Sequence, residues 1–121
     1  MQRELTSYLD DTEIHENDYV FYSEYNGKNT KLRYADALCQ IVRYEGELCI
    51  QTLVHRNHMK KFTTINDKPI SLKYVSKENI MLIEDYNEDL APVVFMNKHY
   101  FGLQQAFRKK NLPNVKFFAT K

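Results

Sequence analysis

Two histidines, His55 and His58, have the spacing in this sequence that is closest to a metal site. Three positions apart in a polar segment, two imidazoles could bind one ion, with His15 or His99 as a further ligand. The alternative is a pair of exposed loop histidines, because the basic side chains around them disfavour a divalent cation. We therefore expect no metal and no other cofactor.

Side chains that could act as nucleophiles or as acid–base pairs lack the setting that catalysis needs. Cys39 and Cys49 fall inside strand-like segments, where a thiol usually packs as a small buried hydrophobe. Adjacent carboxylates are typical of solvated surfaces, and they occur here at Asp10-Asp11, Glu84-Asp85 and Glu88-Asp89. With three glycines in the chain, the common Gly-rich phosphate-binding loops cannot be built. The sequence therefore predicts a protein that is not an enzyme.

Basic residues form two clusters that could hold phosphates, one in residues 56–61 and one in residues 98–116. The candidate nucleic-acid contacts are Arg56, Lys60, Lys61, Lys98, Arg108, Lys109, Lys110 and Lys116. Cations at the C-terminal end of a helix also interact favourably with the helix dipole, so the second cluster has a structural alternative of equal weight.

Tyrosines and acids supply candidate contacts to a protein partner. An exposed tyrosine is favoured at interfaces because it contributes area with little loss of side-chain entropy. Tyr22 and Tyr25 fall on different faces of one predicted strand, so they are not expected to form one stack. The acids that follow residue 83 could receive a basic tail. The candidate protein-binding residues are Tyr22, Tyr25, Glu84, Asp85, Tyr86 and Glu88.

The composition bounds the class of protein. A chain of 121 residues with a net charge of +1 and 43% hydrophobic residues is neither uniformly basic nor disordered. The charge is divided along the chain: residues 90–121 carry +6 and residues 1–89 carry −5. Such an asymmetric field orients an approaching partner. Two cysteines and the lack of a leader-like or membrane-spanning apolar stretch predict an intracellular protein with no membrane partner.

The segments that must position these residues are predicted to be mainly strands. Residues 1–15 are predicted to form an N-terminal arm and residues 16–121 a single domain. Strands are predicted over 18–25, 31–34, 38–44, 47–54, 70–75, 80–83, 93–96 and 115–118, with a hairpin turn at 26–27 and a polar loop at 55–68. Asn97 is the predicted cap of a helix that carries Tyr100, Leu103 and Phe107 and ends at residues 109–110.

The central hairpin has a predicted register. A two-residue turn at Glu45-Gly46 pairs Tyr44 with Glu47, Val42 with Cys49 and Ile41 with Ile50. Cys39 and Cys49 then lie on opposite faces and cannot form a disulfide. The predicted fold class is mainly β (α+β): a small bent β-barrel, SH3-like or BAH-like, with a short N-terminal arm and one C-terminal helix.

The order of these segments resembles the bromo-adjacent homology (BAH) domain over about residues 16–118. In the first half of the chain, E-N-D-Y-V-F-Y at 16–22 resembles the family's "G-D-x-V-Y" strand, residues 38–51 resemble its central hairpin, and L-V-H-R-N at 53–57 matches "W-F-Y-R-P". In the second half, S-K-E-N-I-M-L at 76–82 resembles "x-x-N-E-L-F-x-S", and residues 91–95 fall where the family has "I-P-x-x-x-I". The segment V-K-F-F at 115–118 resembles the closing "x-F-F-C" strand. The resemblance implies a distorted β-barrel that binds nucleosomes or histone tails, and then a nuclear location.

Two positions depart from the family members that read methyl-lysine in an aromatic cage. Leu53 stands where one aromatic wall is expected and Ile83 where another is, and Tyr86 alone matches a wall. These departures weaken the expectation of methyl-lysine recognition and leave general docking on nucleoprotein. A competing likeness, to phage-encoded SH3-like barrel proteins, is carried by residues 16–20 and 83–88.

The sequence thus predicts a non-enzymatic binding module that docks on a nucleoprotein assembly, a nucleosome by resemblance. A ribosome- or RNA-associated factor in the cytoplasm would use the same basic face. A protein-only inhibitor or adaptor would instead act through the acidic and tyrosine-rich surface.

Overall fold

The described residues form a mostly β structure with one α-helix in the C-terminal part of the chain. The computed structural model describes residues 5–9, 11–23, 36–56, 61–64, 67–109 and 114–115, with residues 109, 114 and 115 described for their backbone alone. The strands are β1 (Tyr19–Ser23), β2 (Asp36–Tyr44), β3 (Glu47–Arg56), β4 (Phe62–Thr64), β5 (Ile70–Ser71), β6 (Ile80–Ile83) and β7 (Asn114–Val115), and the helix is α1 (Pro92–Lys109).

One sheet joins the seven described strands in the order β4-β3-β2-β1-β6-β7, with β5 also paired to β3. The first six strands pair antiparallel, whereas β7 runs parallel to β6. The predicted register of the central hairpin is confirmed, with Tyr44 opposite Glu47, Val42 opposite Cys49 and Ile41 opposite Ile50. Its turn has Glu45 at φ 51° and Gly46 at φ 84°, the left-handed pair that a tight hairpin turn requires. Both cysteines are free, as that register predicts.

A β-bulge in this hairpin changes which face β3 presents. Cys39 pairs with Thr52 and Leu38 pairs with Val54, so Leu53 is an extra residue on β3. Because side chains alternate along a strand, one extra residue moves Val54 to the face opposite Ile50. Ile50 packs in one core cluster and Val54 in the other.

Both faces of the sheet are covered. On one face, Tyr8 and Ile14 of the N-terminal segment and Leu72 and Val75 after β5 pack on the strands. On the other face, α1 buries a stripe of apolar side chains: Phe95, Met96, Tyr100, Leu103 and Phe107. The strands β1 and β6 are therefore buried on both sides, which accounts for their nearly continuous apolar sequence.

The predicted small bent β-barrel is wrong, because the described strands form an open sheet. Among the described strands, β4 at one edge pairs only with β3, and β7 at the other edge pairs only with β6. Closure would require these edges to meet. The N-terminal segment and the residues after β5 bury one face of the open sheet, and α1 buries the other, so closure is not needed to form a core.

The predicted strand at 93–96 is also wrong, because these residues form the first turns of α1. Pro92 is suited to a first helical turn, since its fixed φ is helical and its missing N–H has no partner there in any case. The Phe95 N–H donates to the Ala91 carbonyl at 2.9 Å, and the Asn97 side chain donates to the Val93 carbonyl at 3.0 Å instead of capping the helix. Apolar packing on the sheet overrides the β propensity of the two valines.

Residues 55–68 are not one loop. His55 and Arg56 extend β3, where they pair with Thr63 and Phe62 of β4. Of the predicted strand at 70–75, the structure keeps residues 70–71 and turns residues 72–74 into a 3₁₀ helix. The predicted turn at 26–27, the strand at 31–34 and residues 116–118 lie outside the described residues. Within the described ranges, no helix has the length and apolarity needed to cross a membrane.

Candidate functional site

A groove of about 370 Å³ opens where the start of β1 meets the end of β6. Its described lining contains acids and two tyrosines but no Lys, Arg or His: Asn17, Asp18, Tyr19, Leu82, Ile83, Glu84, Tyr86 and Glu88. We call this feature the acidic groove. It forms because β1 and β6 are antiparallel neighbours, with Tyr19 opposite Ile83, so the residues before β1 and after β6 reach the same end of the sheet.

Two tyrosines stack in the acidic groove. The ring centroids of Tyr19 and Tyr86 are 4.0 Å apart and the rings are inclined by 19°. Tyr86 also contacts Phe95 of α1, with ring centroids 4.6 Å apart. Helix α1 therefore supports the Tyr19–Tyr86 stack through Phe95. The two stacked rings form an aromatic wall beside the carboxylates of the acidic groove.

Burial, with a smaller contribution from the neighbouring Glu88, raises the pKa of both tyrosines. Burial, followed by the charge of Glu88 and a hydrogen bond to its carboxylate, raises the pKa of Tyr19. Burial, Tyr19 and Glu88 together raise the pKa of Tyr86 to about 12. Both hydroxyls therefore stay protonated at neutral pH, so the tyrosines add hydrogen-bond donors and aromatic surface while the carboxylates provide the charge.

The N-terminal segment sets the position of Asp18. The Tyr8 hydroxyl donates to Asp18 Oδ2 at 2.8 Å, and the His15 N–H donates to the same oxygen at 2.9 Å. The preceding residue, Asn17, has φ 79°, and its N–H donates to the Ile41 carbonyl at 2.7 Å. A buried tyrosine in the arm and the adjacent strand β2 thereby fix one acidic wall of the acidic groove.

The outer side of α1 carries a second surface with the opposite charge. Phe101 is 74% exposed and Val94 is 49% exposed, and Lys98 and Arg108 are exposed on the same side. The helix contains no acidic residue. We call Val94, Lys98, Phe101 and Arg108 the basic helix face.

Arg56 does not belong to that face, because its guanidinium turns inward. Its Nη1 donates to the Tyr100 hydroxyl at 2.9 Å, and its Cζ lies 4.6 Å from the centre of the Tyr100 ring. The Tyr100 hydroxyl in turn donates to Asp36, which also accepts from Ser23 Oγ at 2.6 Å. We call these four residues the Tyr100 network, and it ties α1 to strands β1, β2 and β3.

The structure separates the other predicted contacts. Tyr22, a predicted protein contact, is 2% exposed, because it packs in the core cluster that Tyr8 and Ile14 of the N-terminal segment share. Glu84, Tyr86 and Glu88 line the acidic groove, whereas Asp85 does not. Lys61 is exposed just before β4. The remaining predicted contacts lie outside the described residues, or for Lys109 outside the described side chains: Tyr25, Lys60, Lys109, Lys110 and Lys116.

The histidines and cysteines singled out from the sequence are not brought together in the described part of the chain. His55 lies in β3 with its Nε2 3.1 Å from Thr63 Oγ1, and His58 is outside the described residues. The described residues contain no group of three or more His, Cys, Asp or Glu that could hold a metal ion. Burial raises the pKa of the Cys39 thiol to about 12, which makes it a poor nucleophile.

Reasoning from the sequence missed Asp18, Tyr19 and Phe101. The first two are brought to Glu84 and Tyr86 by the pairing of β1 with β6, which no local pattern indicates. Phe101 did carry a signal: it lies outside the apolar stripe of Tyr100, Leu103 and Phe107, so a helical projection places it on the opposite, solvent side.

Comparison with known proteins assigns no family. No protein-family model matches the chain, and neither the curated proteins nor the solved structures yield a match. The BAH-like and SH3-like resemblances therefore stay predictions from sequence motifs.

Proposed function

We propose that this chain is a non-enzymatic binding module that docks on a nucleoprotein assembly, with the acidic groove receiving a basic segment of the protein component. The observation that carries the proposal is the Tyr19–Tyr86 stack, held beside Asp18 and Glu88 in a groove with no described cationic lining residue. Its volume of about 370 Å³ is in the size range of ligand pockets.

The chemistry of the acidic groove suits an arginine or lysine side chain. A cation beside an aromatic ring gains roughly 0.5–1 kcal/mol at an exposed site, and an exposed ion pair adds up to about 1 kcal/mol. Each contact is weak, so useful affinity requires several basic residues in one segment. Because exposed charges are screened over about 8 Å at physiological salt, the affinity should fall as salt rises.

The lining of the acidic groove supports selection by charge more than by methylation. Tyr19 supplies a second ring beside Tyr86, but Leu82 and Ile83 provide aliphatic walls. Leu53, at the other position expected for an aromatic wall, is the bulge residue of β3 and packs against the helix-side core. A BAH-like module of this kind would bind basic tails whether or not their lysines are methylated.

A labelled peptide rich in Arg and Lys, with a Gln-substituted peptide of equal length as reference, tests this function. Fluorescence anisotropy should show binding of the basic peptide alone, weakened at least tenfold by combining Glu84→Gln with Glu88→Gln. Glu78→Gln, an exposed acid outside the acidic groove, is the matched control and should leave the affinity unchanged. Equal affinity of the wild type for both peptides would overturn the proposal.

The nature of the assembly needs a second experiment. The tagged protein is used to capture partners from native extract with and without nuclease, followed by mass spectrometry. Partners that are lost on nuclease treatment support a nucleoprotein target, whether nucleosome or ribosome. Partners that are kept after nuclease treatment, with no nucleic acid retained, favour the protein-only adaptor. In that case the acidic groove alone would bind the partner.

A further inference from the structure

An aromatic ring projects into solvent at the middle of the basic helix face. Phe101 is 74% exposed, the most exposed of the large hydrophobic side chains in the described part of the chain. Its one described ring contact is with the neighbouring Tyr100, at a centroid distance of 5.3 Å in an edge-on arrangement. The inner stripe of α1 already fills the core on this side of the sheet, so folding does not need the Phe101 ring.

The charges around this ring indicate what kind of partner covers it. At 1.5 Å rise and 100° per residue, Lys98 and Arg108 lie about 15 Å apart along the helix with Phe101 between them, and all three fall within an arc of about 80°. With no acid anywhere in α1, the face attracts anions and repels basic segments. It therefore complements a polyanion that also carries planar apolar surface.

We propose that the basic helix face binds single-stranded nucleic acid, with Phe101 stacking on an unpaired base while Lys98 and Arg108 contact flanking phosphates. This combination of one aromatic platform and flanking cations is how single strands are bound without reading sequence. This inference rests on the proposed docking on a nucleoprotein assembly. It extends that proposal by naming the surface that contacts the nucleic acid.

Single strands suit this face better than a duplex. In a duplex the bases stack on one another, and a protruding helix meets phosphates and the polar edges of bases. The Phe101 ring has no hydrogen-bonding group for those edges, whereas every unpaired base offers a planar face. RNA and DNA share this chemistry, so both are used as probes.

The test measures anisotropy of a labelled oligouridylate, an oligothymidylate and a duplex of the same length. We expect tighter binding of the single strands than of the duplex, and roughly tenfold or greater loss with Phe101→Leu, which keeps an apolar side chain but removes the π face. Phe101→Tyr should retain affinity. Lys98→Gln and Arg108→Gln should each weaken binding and lower the slope of log affinity against log salt by about one.

Two controls match these variants. Tyr74 is 54% exposed and lies between Leu72 and Val75, which pack on the face of the sheet opposite α1. Tyr74→Ala therefore removes an exposed aromatic ring away from the basic helix face. Lys68→Gln removes an exposed cation before β5. Neither should change the affinity.

The outcomes separate this inference from the function proposed above. Wild-type affinity of Phe101→Leu for single strands, or equal affinity of the wild type for duplex and single strands, would overturn the inference. Binding of the basic peptide by Phe101→Leu should stay unchanged, because that peptide is assigned to the acidic groove. Loss of the peptide result alone would overturn only the groove proposal.

Discussion

The Tyr100 network and the acidic groove both place tyrosine beside carboxylates, and they differ in how the negative charge is balanced. In the Tyr100 network, Asp36 accepts hydrogen bonds from the Tyr100 and Ser23 hydroxyls. The cationic guanidinium of Arg56 donates to the Tyr100 hydroxyl. Asp36 is 6% exposed and Tyr100 is 2% exposed. In the acidic groove the described lining offers carboxylates and tyrosines but no cation.

This difference separates stability from binding. A buried carboxylate must find its partners within the protein, because an unsatisfied one costs several kcal/mol. Carboxylates at the mouth of a groove are solvated in the free protein, so they can exchange water for a ligand's cation. Changes in the Tyr100 network should therefore lower stability, and changes in the acidic groove should lower affinity.

The largest effect is expected from Asp36→Ala. It leaves the Tyr100 and Ser23 hydroxyls without the carboxylate that accepts from both, which should cost about 3 kcal/mol of the free energy of unfolding. Urea unfolding should show a lower midpoint at an unchanged m-value. Asp67→Ala, at an exposed site, is the control. A loss as small as that of the control would mean that the network does not hold α1.

Tyr100→Phe is expected to cost about 1.5 kcal/mol at neutral pH, because Asp36 loses a donor. Burial, and then the hydrogen bond to Asp36 and its charge, raise the pKa of Tyr100 from 10.0 to about 12. The unfolded chain therefore loses this proton first, and the stabilising contribution present below pH 10 is lost as the pH rises to about 12.

Urea unfolding of wild type and Tyr100→Phe across this range measures that contribution. The difference in unfolding free energy between them should shrink between neutral pH and pH 12. Two curves that stay parallel would show that Tyr100 is not held in its neutral form by the fold.

Asp18→Asn should have a smaller effect on stability and should also lower affinity. Asp18 both holds the N-terminal segment in place and lines the acidic groove. Its carboxylate anchors Tyr8 and the His15 N–H, so its loss should cost about 1 kcal/mol of stability. The affinity for the basic peptide should fall as well, because one charge of the acidic groove is gone. Tyr8→Phe removes the anchor but keeps the charge, and it should lower stability with little change in affinity.

Glu88→Gln should have the smallest effect on folding, within about 0.5 kcal/mol of wild type. The amide oxygen can still accept from Tyr19, so only the charge is lost. Peptide affinity should fall about fivefold, as expected for one exposed ion pair. A variant that unfolds readily would instead place Glu88 among the residues that hold the fold.

The parts of the fold that depend on local rules were predictable. The turn at Glu45-Gly46 sets the pairing of β2 with β3. Apolar spacing predicted the second half of α1, and the basic pair at 109–110 predicted its end. The half of the site after β6 was also visible, because Glu84, Tyr86 and Glu88 adjoin one another in the chain. Tyr19 and Asp18 could not be assigned to it, since a strand's sequence does not tell which neighbour it pairs with.

The amino-acid sequence by itself determined the hairpin register, the apolar stripe of the helix and the division of charge, because each depends on contacts or counts within a short stretch of chain. Tertiary structure decided the rest. It made a helix of 93–96, opened the sheet that was expected to close, turned Arg56 inward and brought Tyr19 onto Tyr86. These outcomes depend on which surfaces meet across the core, and packing free energy there exceeds the local preferences that a sequence displays.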